Sequence, residues 1–159
     1  MTTRIACPEA LPAWRELPDL ELYMDQVLSL TERWLGADGG ARGLTASMVN
    51  NYVKLGVLPA PVKKRYGRVH LARLLMICLL KPVLPIASIR ALLEEGLRGS
   101  TEEDFYTAFC ALLEQTRSAS GAAAAAIADE PAVKRILHAA LRSQTEQALA
   151  LRELAGLES

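Results

Sequence analysis

The sequence predicts an almost all-α protein with at most a minimal β hairpin. Apolar residues recur at three- and four-residue spacing through most of the 159 residues, which indicates amphipathic helices. Glycines, prolines and capping residues divide this pattern into separate helices. The length fits one ordinary domain with an appended part.

The first helix is expected over residues 20–35. The prolines of residues 1–18 prevent a long helix there, so we expect an irregular arm with at most a single turn. Asp19 would cap the helix, and Gly36 would end it. A glycine-rich connector, residues 36–43, follows.

A short helix over residues 46–55 precedes a basic turn, and a longer helix over residues 69–81 follows it. Thr45 is expected to cap the short helix, and Gly56 provides its left-handed stop. The longer helix is apolar almost all round, which is typical of the centre of a core. Pro85 would open the next helix.

Two more helices are expected near residues 101–128 and 131–155. Ser100, with a glutamate three residues later, is a capping-box signature. We expect the first of these helices to break at Gly121 and the second to end at Gly156.

These patterns divide the chain into an N-terminal arm at residues 1–18, a helical domain at residues 19–98 and a C-terminal helical region at residues 99–159. The last region is either a hairpin packed on its own domain, a homodimer interface or a pocket for an effector. Its small alanines allow close helix approach, and we favour the homodimer.

The chain carries no net charge, but its charges are sorted by position. Residues 39–93 hold nine of the 18 basic residues and none of the 18 acidic ones. That segment therefore carries +9 and the remainder carries −9. Such asymmetry indicates a segment that faces a polyanion.

Several other classes of protein find little support. Three widely spaced cysteines and the absence of a signal-peptide pattern predict a reducing, cytoplasmic location. The apolar run at residues 74–80 is far shorter than the ~20 residues of a membrane span. Neither His70 nor His138 has a second ligand at helical spacing, and no phosphate-binding glycine loop is present. We therefore expect no metal, no cofactor and no enzymatic activity.

The pattern that points to a function lies on the helix at residues 46–55. On a wheel of ~100° per residue its hydrogen-bonding side chains share one arc and its apolar side chains cover the other. The polar arc consists of Ser47, Asn50, Asn51 and Lys54. Asn pairs with adenine, Ser bonds several base edges, and Lys reaches guanine or phosphate. We predict that this face reads bases; a merely solvated face is the alternative.

The basic turn next to this helix supplies candidate phosphate contacts. Base contacts specify a DNA site, whereas phosphate contacts position the protein on it. His70 would either contact phosphate or cap its own helix. The predicted phosphate-contacting set is Lys63, Lys64, Arg65, Tyr66, Arg68 and His70.

The segment at residues 44–95 resembles the DNA-binding unit of MerR-type regulators. The run Leu44-Thr45-Ala46-Ser47-Met48-Val49-Asn50-Asn51-Tyr52-Val53-Lys54-Leu55-Gly56-Val57-Leu58-Pro59 has an aromatic in mid-helix, then Leu-Gly, two apolar residues and Pro. Lys63-Lys64-Arg65-Tyr66 takes the place of the family's wing, and Leu84-Pro85-Ile86-Ala87-Ser88-Ile89 is similar to a later helix. The resemblance implies a winged helix-turn-helix that binds DNA.

A more specific similarity is to a bacterial family described as a domain of unknown function. The motifs that carry it are Leu22-Tyr23-Met24-Asp25-Gln26-Val27, Asn50-Asn51-Tyr52-Val53-Lys54 and Leu79-Leu80-Lys81-Pro82-Val83-Leu84. Members of that family pair a MerR-like unit with the first of these motifs.

The sequence also departs from the MerR pattern. MerR-type regulators have a tight turn before the helix that reads DNA, whereas here the glycine-rich connector at residues 36–43 precedes the helix at residues 46–55. Asn50 stands where a basic residue is most often found, and Val53 replaces a glutamate. Only Tyr52 and Tyr66 match as residues, so individual DNA contacts do not carry over from the family.

Together these patterns predict a MerR-like DNA-binding transcriptional regulator. Its expected partners are double-stranded DNA and a second copy of the chain, without a membrane. The alternative is a protein-interaction adaptor that keeps the winged-helix shape and docks an acidic partner on the same surface.

Overall fold

The computed structural model describes residues 10–36 and 43–157, and within them the fold is all-α, as predicted. A single 3-10 turn at Trp14–Glu16 precedes the first helix. The six helices are α1 (Met24–Leu35), α2 (Ala46–Lys54), α3 (Arg68–Leu80), α4 (Ile86–Leu97), α5 (Glu102–Ala125) and α6 (Ala132–Leu157). The β-type pairing found in the described residues consists of two isolated antiparallel bridges, Leu22 with Tyr66 and Val62 with Arg65. None of the described helices combines the length and apolar character needed to cross a membrane.

The chain divides into two compact units, Met1–Cys110 and Ala111–Ser159. The boundary falls inside α5, so the first turns of that helix belong to the first unit. Tyr106 on these turns is fully buried, and its hydroxyl donates to the carbonyl oxygen of Pro12 at 2.7 Å.

The core of the first unit is built around α3, as the sequence predicted. Its side chains between Leu71 and Ile77 are fully buried, apart from Arg73. α1 and α4 pack on α3, and α2 packs on α1. A helix that is apolar all round belongs at such a centre because it has no face to offer to water.

The first helix begins later than the sequence suggested, so the predictions of a start near residue 20 and of Asp19 as its cap are wrong. Leu22 exchanges two backbone hydrogen bonds with Tyr66, both at 2.8 Å, and these hold the chain extended. The helix starts after Tyr23, whose N–H donates to the side chain of Gln26 at 2.9 Å. Leu20 remains exposed.

Two predictions about α5 are also corrected. Thr101 is the capping residue in place of Ser100, since its Oγ1 accepts from the N–H of Asp104 at 3.1 Å. The helix does not break at Gly121 but continues to Ala125. The alanines that follow are the strongest helix formers, and they outweigh the cost of ~1 kcal/mol for one glycine. α6 likewise runs through Gly156 to Leu157.

The second unit contains the rest of α5, a turn at residues 126–131, and α6. A cavity of about 470 Å³ separates the two helices. It is lined from the α5 side by Ser120 and Ala124, and from the α6 side by residues that include Arg135, Ala139 and Arg142. This hairpin is therefore loosely packed.

Candidate nucleic-acid interface

The polar face of α2 is exposed as a continuous surface. Ser47, Asn50, Asn51 and Lys54 are all exposed, and together they line a shallow depression of about 550 Å³. Their spacing along the sequence places them on one side of a helix. The depression therefore brings the four predicted base-facing residues together. Their polar side chains point to the same side of α2, where they can contact one ligand.

The opposite face of α2 is locked into the core. Val49 and Tyr52 are fully buried. The carbonyl oxygen of Tyr52 accepts from the N–H groups of Val57 and Leu58, at 3.0 and 3.2 Å, so the following turn folds back on the helix. These contacts fix the rotation of α2, and therefore the direction of its polar face.

The ends of α2 follow the predicted local signals. Thr45 Oγ1 accepts from the N–H of Met48 at 3.2 Å, which confirms the N-cap. Gly56 has a φ of +72°, which confirms the left-handed stop. The helix ends at Lys54, one residue before the predicted end.

The basic turn forms a two-residue hairpin, as expected. Val62 and Arg65 exchange backbone hydrogen bonds at 3.1 and 2.9 Å. Lys63 and Lys64 at its tip have φ values of +49° and +61°. Positive φ at both central positions defines a type I′ turn, in which Asn and Gly are the favoured residues. Lysine at such a position costs roughly 1–2 kcal/mol, so the tip is strained.

The hairpin is fastened to the N-terminal segment of the first unit. Tyr66 pairs with Leu22, as described above, and its buried ring packs edge-on against His70 with centroids 5.3 Å apart. The guanidinium of Arg65 lies 3.8 Å from the centre of the Tyr23 ring. Sequence patterns assigned Leu22 and Tyr23 to a helix and did not reveal that they hold the hairpin.

Three of the predicted phosphate-contacting residues make contacts inside the protein. Arg68 Nε donates to the carbonyl oxygen of Leu17 at 3.0 Å. Tyr66 is buried, and His70 bonds on both sides of its ring: Nδ1 accepts from the N–H of Gly67 at 3.0 Å, while Nε2 lies 3.1 Å from the carbonyl oxygen of Pro59. His70 thus caps α3, one of its two expected roles.

Burial lowers the pKa of His70, which favours the neutral imidazole. The neutral tautomer with the proton on Nε2 satisfies both contacts, because Nδ1 then accepts and Nε2 donates. A neutral ring with both nitrogens engaged is a structural support of the hairpin and α3.

Fewer basic side chains are available to bind a polyanion than the nine basic residues of segment 39–93 suggest. Arg73 pairs with Glu102, and Arg90 pairs with Glu94. Glu94 directly follows the acid-free segment, whereas Glu102 lies nine residues beyond its end. Arg42 lies outside the described residues. The ion pairs found in the described residues do not involve Lys54, Lys63 or Lys64, so these three exposed ammonium groups face solvent.

Other candidate chemistry is weak in this fold. Burial raises the pKa of the Cys78 thiol to about 11 and that of Cys110 above its ordinary value, which keeps both protonated and unreactive. Cys7 lies outside the described residues. In the described part of the chain, no three histidine, cysteine or acidic side chains come together as a metal site.

Comparison with known proteins places the chain in a family. No curated protein and no solved structure matches it. A family model described as "Domain of unknown function (DUF1836)" matches residues 12–110. This match covers well over half of the chain and includes α2, the hairpin and α3. The chain therefore belongs to the DUF1836 family.

Proposed function

We propose that this protein is a DNA-binding transcriptional regulator with a MerR-like winged helix-turn-helix. The observation that carries the proposal is the surface of α2. Four hydrogen-bonding side chains are exposed side by side on a helix whose other face is fixed in the core. A rigid helix of this kind fits the major groove, which is wide enough to admit an α-helix.

Each residue of this face has a role in the proposal. Asn50 and Asn51 offer amides for bidentate contacts to adenine. Ser47 lies one helical turn before Asn51, and its hydroxyl can donate to or accept from a base edge. Lys54, at the end of the helix, reaches guanine or a phosphate.

The hairpin acts as the wing. Lys63 and Lys64 at its tip contact phosphates, while Arg65 is steadied by the Tyr23 ring. Strained backbone positions cluster at functional sites. Two lysines at positions that favour Asn and Gly are consistent with selection for charge over turn stability.

The order of elements supports the MerR resemblance. A short helix with a mid-helix tyrosine leads through a proline-containing turn into a two-residue hairpin, and α3 begins directly after it. Tyr66, Arg68 and His70 hold the hairpin against α3 and the N-terminal segment in this arrangement.

A test of the wing uses the double substitution Lys63→Asn with Lys64→Gly. Asn-Gly is the preferred sequence of a type I′ turn, so the hairpin persists and the protein gains about 1 kcal/mol of stability. Removal of two phosphate contacts flattens the plot of log affinity for duplex DNA against log salt concentration by about two units. Lys134→Ala, an exposed lysine on α6, is the control and leaves the slope unchanged.

Asn50→Ala tests base reading. On a preferred duplex it costs about 1–3 kcal/mol, whereas binding to unrelated duplex changes little. Gln115→Ala on α5 is the control for loss of an exposed amide. Equal losses on both duplexes would contradict base reading by α2. Unchanged salt dependence in the wing variant would favour a protein-docking role of the same surface.

A further inference from the structure

α6 is a long helix that buries almost nothing. From Pro131 to Glu153 every residue except Arg142 is exposed. Helices in proteins gain most of their stability from packing an apolar face, and a 26-residue helix without such packing is unusual.

The exposed surface of α6 is nonetheless patterned. Apolar residues recur at three- and four-residue spacing along one side and form a stripe about 27 Å long. This apolar stripe consists of Val133, Leu137, Leu141, Ala148 and Leu151, with one polar residue, Gln144, among them. Its four large side chains are 40–70% exposed.

The stripe does not face α5. The cavity between the two helices is lined from α6 by Arg135, Ala139, Arg142 and Glu146 among others, and none of the stripe residues belongs to it. On a helical wheel the cavity-lining residues and the apolar stripe lie on opposite sides. α6 therefore turns mostly polar side chains toward the cavity and carries its apolar stripe on the other side.

We propose that the apolar stripe is the surface on which two copies of this chain associate. The stripe contains no charged residue, so it offers nothing to DNA or to an acidic partner. An uncharged apolar surface is complementary to itself, and a two-fold contact places the same patch on both sides. Gln144, near the middle of the stripe, would meet the apolar stripe of the other copy close to the two-fold axis. A single polar residue in such a seam sets register at some cost in affinity.

The area of the stripe fits a weak dimer. Burial of a Leu-sized side chain removes on the order of 100 Å² from water. With the neighbouring Ile136, which is 67% exposed, the stripe offers roughly 300 Å² per copy on that scale. Homodimer interfaces are about 65% apolar, so two copies would bury about 900 Å² in total, close to the ~1,000 Å² of a specific interface. An interface of this size lies at the low end of specific interfaces, so we expect a reversible dimer.

Sedimentation equilibrium of the full chain without DNA tests this proposal, so its outcome is independent of DNA binding. The wild-type chain is expected to be dimeric at about 100 µM and to dissociate on dilution, because the interface is small. Gln144→Glu brings like charges close to the two-fold axis and should weaken the dimer at least tenfold. Gln115→Glu makes the same isosteric change on α5 and should leave it unchanged.

A second pair of variants removes the apolar contact itself. Leu137→Glu with Leu141→Glu should abolish the dimer, while Leu112→Glu, a similarly exposed leucine on α5, should retain it. Circular dichroism of each variant verifies helix content. A monomeric wild-type chain at 100 µM, or a dimer that survives Gln144→Glu unweakened, would overturn the proposal.

Discussion

Arg73 is the residue whose removal should most disturb the link between α2, α3 and α5 in the first unit. Its Nε donates to both carboxylate oxygens of Glu102, at 3.0 and 3.2 Å, and its Nη2 contacts the same carboxylate. Its Nη1 donates to the carbonyl oxygen of Val57 at 3.2 Å, in the turn that follows α2. The side chains of Arg73 and Glu102 are only 16% and 23% exposed.

Arg73→Met should therefore lower the free energy of unfolding by about 2–3 kcal/mol. Breaking a fully buried ion pair costs about 3–5 kcal/mol, and the partial exposure of this pair reduces the value. A hydrogen bond to a charged group contributes about 1.5–3 kcal/mol, which agrees with this range. For a chain of this size the melting temperature should fall by about 8 °C.

Urea unfolding followed by tryptophan fluorescence measures this loss, since Trp14 and Trp34 both lie in the first unit. Arg98→Met is the control because its pair with Glu95 is far more exposed. It should cost less than about 0.5 kcal/mol. Equal losses in the two variants would refute the role given to Arg73.

Gly96 and Gly121 differ in the space around them, and His70 is partly buried. In Gly96→Ala the new Cβ would overlap the ring of Phe105, so we expect a loss of about 1–2 kcal/mol in unfolding free energy; Gly121→Ala, in open space within α5, should instead gain about 0.5–1 kcal/mol. If urea unfolding showed that both variants change the unfolding free energy in the same direction, this description of the packing would be contradicted. Burial lowers the pKa of His70 below the ordinary 6.5, so the unfolded chain binds its proton first and stability falls as the pH drops below about 6.5. His70→Gln should flatten that part of the pH profile of urea unfolding, and identical profiles for wild type and His70→Gln would refute the assignment.

Elements with strong local signals were predictable from the sequence. Thr45 and Gly56 bound α2 as expected, because a capping hydroxyl and a left-handed glycine act within a few residues of chain. The polar face of α2 was predictable for the same reason, since helical periodicity alone groups its residues.

Features that depend on distant contacts were not predictable. The start of α1 is set by the pairing of Leu22 with Tyr66, which lies 44 residues further along the chain. The internal bonds of Arg68 and His70 depend likewise on carbonyl groups brought close by the fold. A count of charges in the sequence missed the pairing of Arg73 with Glu102 for this reason.

DNA recognition by α2 is tested most directly by selection of duplex fragments from a genomic pool at ~50 mM salt, where electrostatic attraction to phosphate is strong. We expect the wild-type chain to enrich fragments with a common sequence, and we expect Asn50→Ala to lose this enrichment while Gln115→Ala retains it. Recovery of no duplex by the wild-type chain would contradict it.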